Sequence, residues 1–253
     1  MQDVKDKISS IFANPNRIRI LSLLTEKPYT LTKLTEALGN TSNPVVSRQL
    51  ARLAEYGLVE KESVTGREYM LSSFGNILVE FLDPLEFLFQ HQLFFQEHTV
   101  DVLPGFLQRD LVALKNATMI TGTGDVIVAI KRLLEGADHS IAGLIESAFG
   151  NVNNKIKKIK LILQSDMYSN PDLKNRMGNL STRLRWEDID IRIIPTVSLT
   201  MAIFDDGKSG LIIFPRKQDY KPDFSIAFEV KDKQGMEFLK KVWDFYWEQA
   251  KPP

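Results

Sequence analysis

The block Asn43-Pro44-Val45-Val46-Ser47-Arg48-Gln49-Leu50-Ala51-Arg52-Leu53-Ala54-Glu55-Tyr56-Gly57 limits what this chain can fold into more than any other stretch. Asn followed by Pro opens a helix, because Asn accepts an orphan backbone amide at the cap and Pro has no donor to lose at the first helical position. Gly57 closes it, since glycine enters the left-handed region without a Cβ penalty. Between them Val46, Leu50, Leu53 and Ala54 share one face, and Ser47, Arg48, Arg52 and Glu55 the other. One face is expected in a core and the other is left to meet a partner.

The flanks define what surrounds this helix. Upstream, Ile8, Ile11 and Phe12, then Ile18, Ile20, Leu21, Leu23 and Leu24, recur at helical spacing with Pro15 in the break, and the pattern stops near Lys27-Pro28. Thr30 caps a short second helix striped by Leu31, Leu34, Ala37 and Leu38 and stopped at Gly39-Asn40. Downstream, Leu58 to Val64 and Arg67 to Ser72 alternate around a Thr65-Gly66 turn, which predicts a β-hairpin. Helix, turn, capped helix and hairpin in this order make a winged helix-turn-helix, in which the second helix of the pair enters the DNA major groove and the hairpin reaches the flanking backbone.

Double-stranded DNA is therefore the expected partner. Asn43, Ser47, Arg48, Gln49 and Arg52 can donate to phosphates or base edges. Arg pairs bidentately with guanine and Gln or Asn with adenine, which makes Arg48 and Gln49 the expected base readers. The competing role for Arg48 and Arg52 is a surface ion pair, for example with Glu55. Lys61 and Arg67 flank the wing turn and would meet phosphate or minor groove, although Glu60, Glu62 and Glu68 dilute that charge.

Global charge adds nothing, because 32 Lys plus Arg are matched by 32 Asp plus Glu. Any field that attracts DNA must be local. Cysteine is absent, which removes disulfides, thiolate metal ligands and a Cys nucleophile together and fits a cytoplasmic protein. No signal-peptide pattern and no apolar run of membrane-spanning length occurs, so export and membrane insertion are not expected.

Residues 76–116 read as a helical connector. Ile77, Leu78, Phe81, Leu82, Leu85, Leu88, Phe89, Leu93, Phe94 and Phe95 form a stripe too wide for a one-sided surface helix. Burial on two sides, against its own domain and a partner subunit, would make this the homodimer contact. From residue 117 the pattern turns mixed: apolar runs at 119–120, 159–163, 189–194, 197–204, 211–214 and 224–230 predict strands, and 125–135, 170–185 and 234–249 predict helices. The expected layout is thus a winged helix-turn-helix domain at 1–75, a connector at 76–116 and an α/β domain at 117–253.

Phe12-Ala13-Asn14-Pro15-Asn16-Arg17-Ile18-Arg19-Ile20-Leu21, together with the block from Asn43 to Val59, resembles the ArsR-like winged-helix repressors. The remainder, with His98, Leu103-Pro104 and the ending Val242-Trp243-Asp244-Phe245-Tyr246-Trp247, is similar to the archaeal methanogenesis regulatory protein family. The resemblance implies an α+β DNA-binding domain joined to a C-terminal α/β sensor domain, phospholipase-D-like in fold and non-catalytic. It implies a transcriptional regulator that answers to a small effector. Unlike metal-sensing ArsR relatives the chain has no Cys, so no metal or cofactor is expected.

Two other classes compete with this. A phosphodiester-cleaving enzyme on the same fold needs a His-x-Lys motif, and His91, His98 and His139 are followed by Gln-Leu, Thr-Val and Ser-Ile. No nucleophile elbow, P-loop or His-Glu-x-x-His occurs, and Gly122-Thr123-Gly124 lacks the third glycine of a dinucleotide turn, so it reads as a strand-to-helix turn able to line an effector pocket. Asp205-Asp206 before Gly207 reads as a hairpin turn. His91 and His98 with Glu97 could form a metal site or simply lie at a helix edge, and Lys155, Lys157, Lys158 and Lys160 read as a solvated run leading into a strand. The third class, a protein-interaction adaptor that uses the winged helix as its surface, is separated from a regulator by changing Arg48 and Gln49.

Overall fold

The computed structural model describes residues 2–62, 66–145, 155–168, 188–196 and 198–253. The chain divides into two compact units, residues 1–86 and 87–253, so the segment read as a connector is shared between them.

In the first unit, helices α1 (Gln2–Phe12) and α2 (Pro15–Glu26) precede α3 (Leu31–Leu38) and α4 (Asn43–Glu55). Strand β1 (Tyr29–Thr30) pairs with β3 (Glu68–Leu71), which also pairs with β2 (Val59–Lys61), and α5 (Ser73–Val79) follows. The hairpin is thus one edge of a three-stranded sheet whose third strand, Tyr29–Thr30, is too short to register as an alternating pattern. The core gathers Ile20, Leu21, Leu34, Val46, Leu50, Leu53 and Leu58, all buried. Full burial of each such aliphatic side chain contributes roughly 1.5–3 kcal/mol.

Capping follows the sequence with one correction. Thr30 accepts the Lys33 amide, and Gly39 and Gly57 take φ of 74° and 73° as left-handed stops. The cap of α4, however, is Ser42 and not Asn43: the first turn closes on the Ser42 carbonyl, which accepts from Val45 and Val46 at 3.0 Å each. No side chain bonds that cap, so Asn43 is a helical residue. Ala54, expected in the core, is exposed, because the buried stripe of α4 ends at Leu53.

The second unit is built on a seven-stranded sheet. Helices α6 (Leu82–Gln90), which begins in the first unit, α7 (Gln92–Glu97) and α8 (Gly105–Arg109) and a 3₁₀ segment (Asp110–Asn116) lead into β4 (Thr118–Thr121) and α9 (Thr123–Gly136). Then come β5 (Ser140–Ile145), β6 (Lys158–Gln164), α10 (Ser165–Tyr168), β7 (Ile189–Ile194), β8 (Thr200–Phe204), β9 (Ser209–Ile213), β10 (Ile226–Val230) and α11 (Lys233–Gln249). The strand order is β4-β10-β9-β8-β5-β6-β7, with β5–β6 and β6–β7 parallel and the other pairs antiparallel.

Period-two alternation sends neighbours to opposite faces. Ile162, Ile212 and Phe228 join one core with Phe94, Leu107, Leu114 and the buried stripe of α11. Leu161, Leu163, Leu211, Ile213 and Ala227 join the other with Val126, Ala129 and Leu133 of α9. Helices therefore cover both faces, an α/β layering, and the two units together make an α+β chain. The helix expected at 170–185 lies outside the described residues. Among the described residues no helix is long and apolar enough to cross a membrane.

Candidate nucleic-acid interface

The second helix of the helix-turn-helix, α4, buries Val46, Leu50 and Leu53 and turns its other edge outward. Asn43, Ser47 and Arg48 on that edge are exposed and have no partner among the described residues. A guanidinium and two short polar groups exposed along one helix offer hydrogen-bonding groups of the kind that meet phosphate and base acceptors.

Gln49 is placed differently. It is half-buried, and its Oε1 accepts from Arg17 Nε at 2.7 Å. Arg is a donor only, so the amide orientation is fixed and Gln49 turns its NH₂ the other way. Arg17 also donates to the Ser10 carbonyl and, at 2.7 Å, to Ser10 Oγ, which in turn accepts from the Tyr56 hydroxyl at 2.9 Å. This chain of bonds ties α1, α2 and the end of α4 together. It occupies a lone pair that a bidentate adenine contact by Gln49 would use.

Arg52 sits in the ion pair its sequence allowed, 2.8 Å from Glu55, with its guanidinium 5.2 Å from the Tyr56 ring centre. The hydrogen bond and charge of Glu55 push its pKa above the ordinary value, so it is a fixed cation. Exposed pairs of this kind are weak.

In the wing, Lys61 is exposed at the end of β2 with Nζ 5.6 Å from the Tyr69 ring centre, and Arg67 is exposed just before β3. Gly66 takes φ of 62°, as the turn requires, while Thr65 lies outside the described residues. Close packing backs the hairpin: a Cβ on Gly75 would collide with the Leu58 carbonyl oxygen.

The remaining sequence-level candidates lie in the second unit. Gly122 has φ of 101° and caps α9, a strand-to-helix turn. Asp205 and Asp206 take φ of 50° and 55° in the β8–β9 turn. The lysine run leads into β6, with Lys155 paired to Asp138 at 3.0 Å and Lys160 over the Trp247 ring.

The two connector histidines have different partners. His91 packs between Phe87 and Phe228, and burial lowers its pKa. His98 is buried, stacked on Phe94, with Nδ1 3.0 Å from the Phe94 carbonyl and Nε2 3.1 Å from Asp223 Oδ2. Asp223 was invisible to the sequence because it lies 125 positions away. Burial pushes its carboxyl upward, but hydrogen bonds from Ser225 and His98 outweigh this and hold it below the usual carboxylate range.

Residues 12–62 match a helix-turn-helix domain family, and the first unit therefore contains a helix-turn-helix domain. No curated protein matches the chain. Among solved structures it is similar to TrmBL2, an archaeal chromatin protein described as showing a novel mode of DNA binding, at 16% identity over 92% of each chain with a TM-score of 0.42. It is also similar to NucT from Helicobacter pylori, at 12% identity over 54% of this chain and 98% of that one, TM-score 0.41. A third, HlyU from Vibrio cholerae, is 27% identical over 34% of this chain and 97% of that one, TM-score 0.29.

Proposed function

We propose that the chain is a sequence-specific DNA-binding transcriptional regulator, ArsR-like in its winged helix and, in its full layout, a member of the archaeal methanogenesis regulatory protein family. The observation that carries this is the outward edge of α4: Asn43, Ser47 and Arg48 stand exposed and without partners among the described residues, on the second helix of a matched helix-turn-helix domain. Arg48 reads a base edge, while Asn43, Ser47 and Arg52 meet phosphate and Gln49 adds its amide donor. Lys61 and Arg67 supply salt-dependent affinity from the wing.

The regulator works as a homodimer without catalytic activity of its own. Phe89 and Leu93, 73% and 75% exposed at the end of α6 and on α7, support an apolar subunit contact. Paired recognition helices then engage half-sites about 34–36 Å apart on a near-palindrome. The second unit, phospholipase-D-like in fold, binds a small effector that shifts the population of dimers with DNA-matching spacing.

Selection of a random DNA library by the purified full chain at two salt concentrations tests this. Enrichment of a near-palindrome that survives the higher salt is expected. Salt-sensitive retention without any enriched sequence would contradict it.

A further inference from the structure

The second unit carries a cleft of about 630 Å³ between one face of α11 and the sheet, within the roughly 300–1,000 Å³ that small-molecule sites occupy. Ala142, Ile203, Met236 and Trp243 line it with apolar surface. Lysines 208, 231, 233 and 240 and the carboxylates of Asp206, Glu237 and Asp244 line it with charge.

Most of these charges are already engaged. Lys231 lies 2.7 Å from Glu229, Lys233 lies 4.0 Å from Glu237, and Asp206 accepts from the Ser140 hydroxyl at 2.8 Å. Lys208, Lys240 and Asp244 have no partner among the described residues. The uncommitted charge is therefore two ammonium groups against one carboxylate, over a wall that includes an indole.

The lip that carries Lys208 is held in advance. Asp205 and Asp206 stand in the left-handed region, which costs non-glycine residues energy and persists only where the surroundings enforce it. Here they do: Asp205 Oδ1 accepts the amides of Asp138 at 2.9 Å and His139 at 2.7 Å, and the Ser140 hydroxyl accepts the Asp206 amide at 2.9 Å. A lip fixed before binding loses little freedom when a ligand arrives.

We propose that this cleft binds a small molecule that carries a carboxylate or phosphate on an apolar body about the size of one ring. The anionic group sits against Lys208 and Lys240 and the body against Ile203, Met236 and Trp243. This gives the effector step of the proposed function a location and a ligand class, and it rests on that function only for its regulatory meaning.

Calorimetric titration of the full chain without DNA tests it, using phenyl phosphate and benzoate as probes and phenol and inorganic phosphate as controls. Saturable one-to-one binding of at least one probe is expected, with neither control binding in the same range. Lys208→Gln with Lys240→Gln should weaken the probe about tenfold, and Asp244→Asn should tighten it. All three side chains are exposed, so unchanged thermal unfolding will verify that the variants fold. Absence of probe binding, equal binding of phenol, or an affinity indifferent to both lysines would overturn the proposal. Because DNA is absent, such a failure leaves DNA binding standing, and a failed DNA selection leaves this site standing.

Discussion

Arg17 Nε donates to Gln49 Oε1 at 2.7 Å, a bond between α2 and the helix that faces the proposed DNA. Arg17, on a neighbouring helix, thereby helps fix the rotation of α4. Arg17→Ala frees Gln49, removes the guanidinium donor from Ser10 and loosens the tie between three helices. Loss of part-buried, charge-assisted hydrogen bonds should cost about 1–3 kcal/mol of stability. Denaturant unfolding checks this, and an unchanged midpoint would show that the network contributes nothing.

Lys61 projects from the wing, where a cation serves phosphate more than base edges. Lys61→Ala should weaken binding to every DNA sequence alike and lower the slope of log affinity against log salt by about 1. Fluorescence anisotropy on specific and scrambled duplexes at several salt concentrations measures both. A loss confined to the specific duplex would assign Lys61 a reading role instead.

Gly75 lies in the first turn of α5 where the chain passes Leu58, just before β2, and its missing Cβ is what lets the Leu58 carbonyl approach. Gly75→Ala must push one backbone away from the other. Overpacking of this kind costs about 1–3 kcal/mol, read as a lower unfolding midpoint.

Asp223 and Glu229 give the second unit an acid limb. In both, burial pushes the carboxyl up, while hydrogen bonds prevail and hold it below the ordinary value: from Ser225 and His98 at Asp223, from Arg132 and Lys231 at Glu229. A carboxyl lowered in the folded state stabilises above its unfolded pKa of about 4 and loses that contribution as pH falls through the folded pKa. Stability should therefore drop as pH falls below about 4, and the drop should be shallower in Asp223→Asn. Urea unfolding across pH 3 to 6 follows the slope, and equal slopes in the two proteins would remove Asp223 from the explanation.

Phe89 and Leu93 are the most exposed large apolar side chains among the described residues of the second unit. If they form the subunit contact, Phe89→Glu with Leu93→Glu should convert a dimer to a monomer in sedimentation velocity with folding intact. A dimer that survives the double change would place the contact elsewhere.

Where the sequence was legible, a single local rule decided each element. Thr30 and Gly39 bracket α3, the stripe Val46, Leu50 and Leu53 sets the buried face of α4, and the alternation of Ile189 to Ile194 gives β7 to the residue. Strand β5 escaped because Ala142 and Gly143 dilute its apolar signal, although it lies between β8 and β6 in the sheet. The segment 76–116 reads as a connector because its apolar stripe is wide, and part of that width is core packing: Phe87, Phe94, Leu103 and Leu107 are core residues of the second unit. Partners far apart in sequence left no local trace. Arg17 with Gln49 and His98 with Asp223 are pairings that only the fold creates.

The most direct test of the central claim, that α4 reads DNA sequence, compares the motif selected from a random library by the natural chain with that selected by Arg48→Ala. Arg48 is exposed and unpartnered among the described residues, so its removal should leave stability within about 0.5 kcal/mol. The expected result is a near-palindrome in which one base position per half-site loses its preference in the variant, equivalent to about 1–3 kcal/mol of discrimination. An identical motif from both proteins, or no motif from the natural chain, would contradict it.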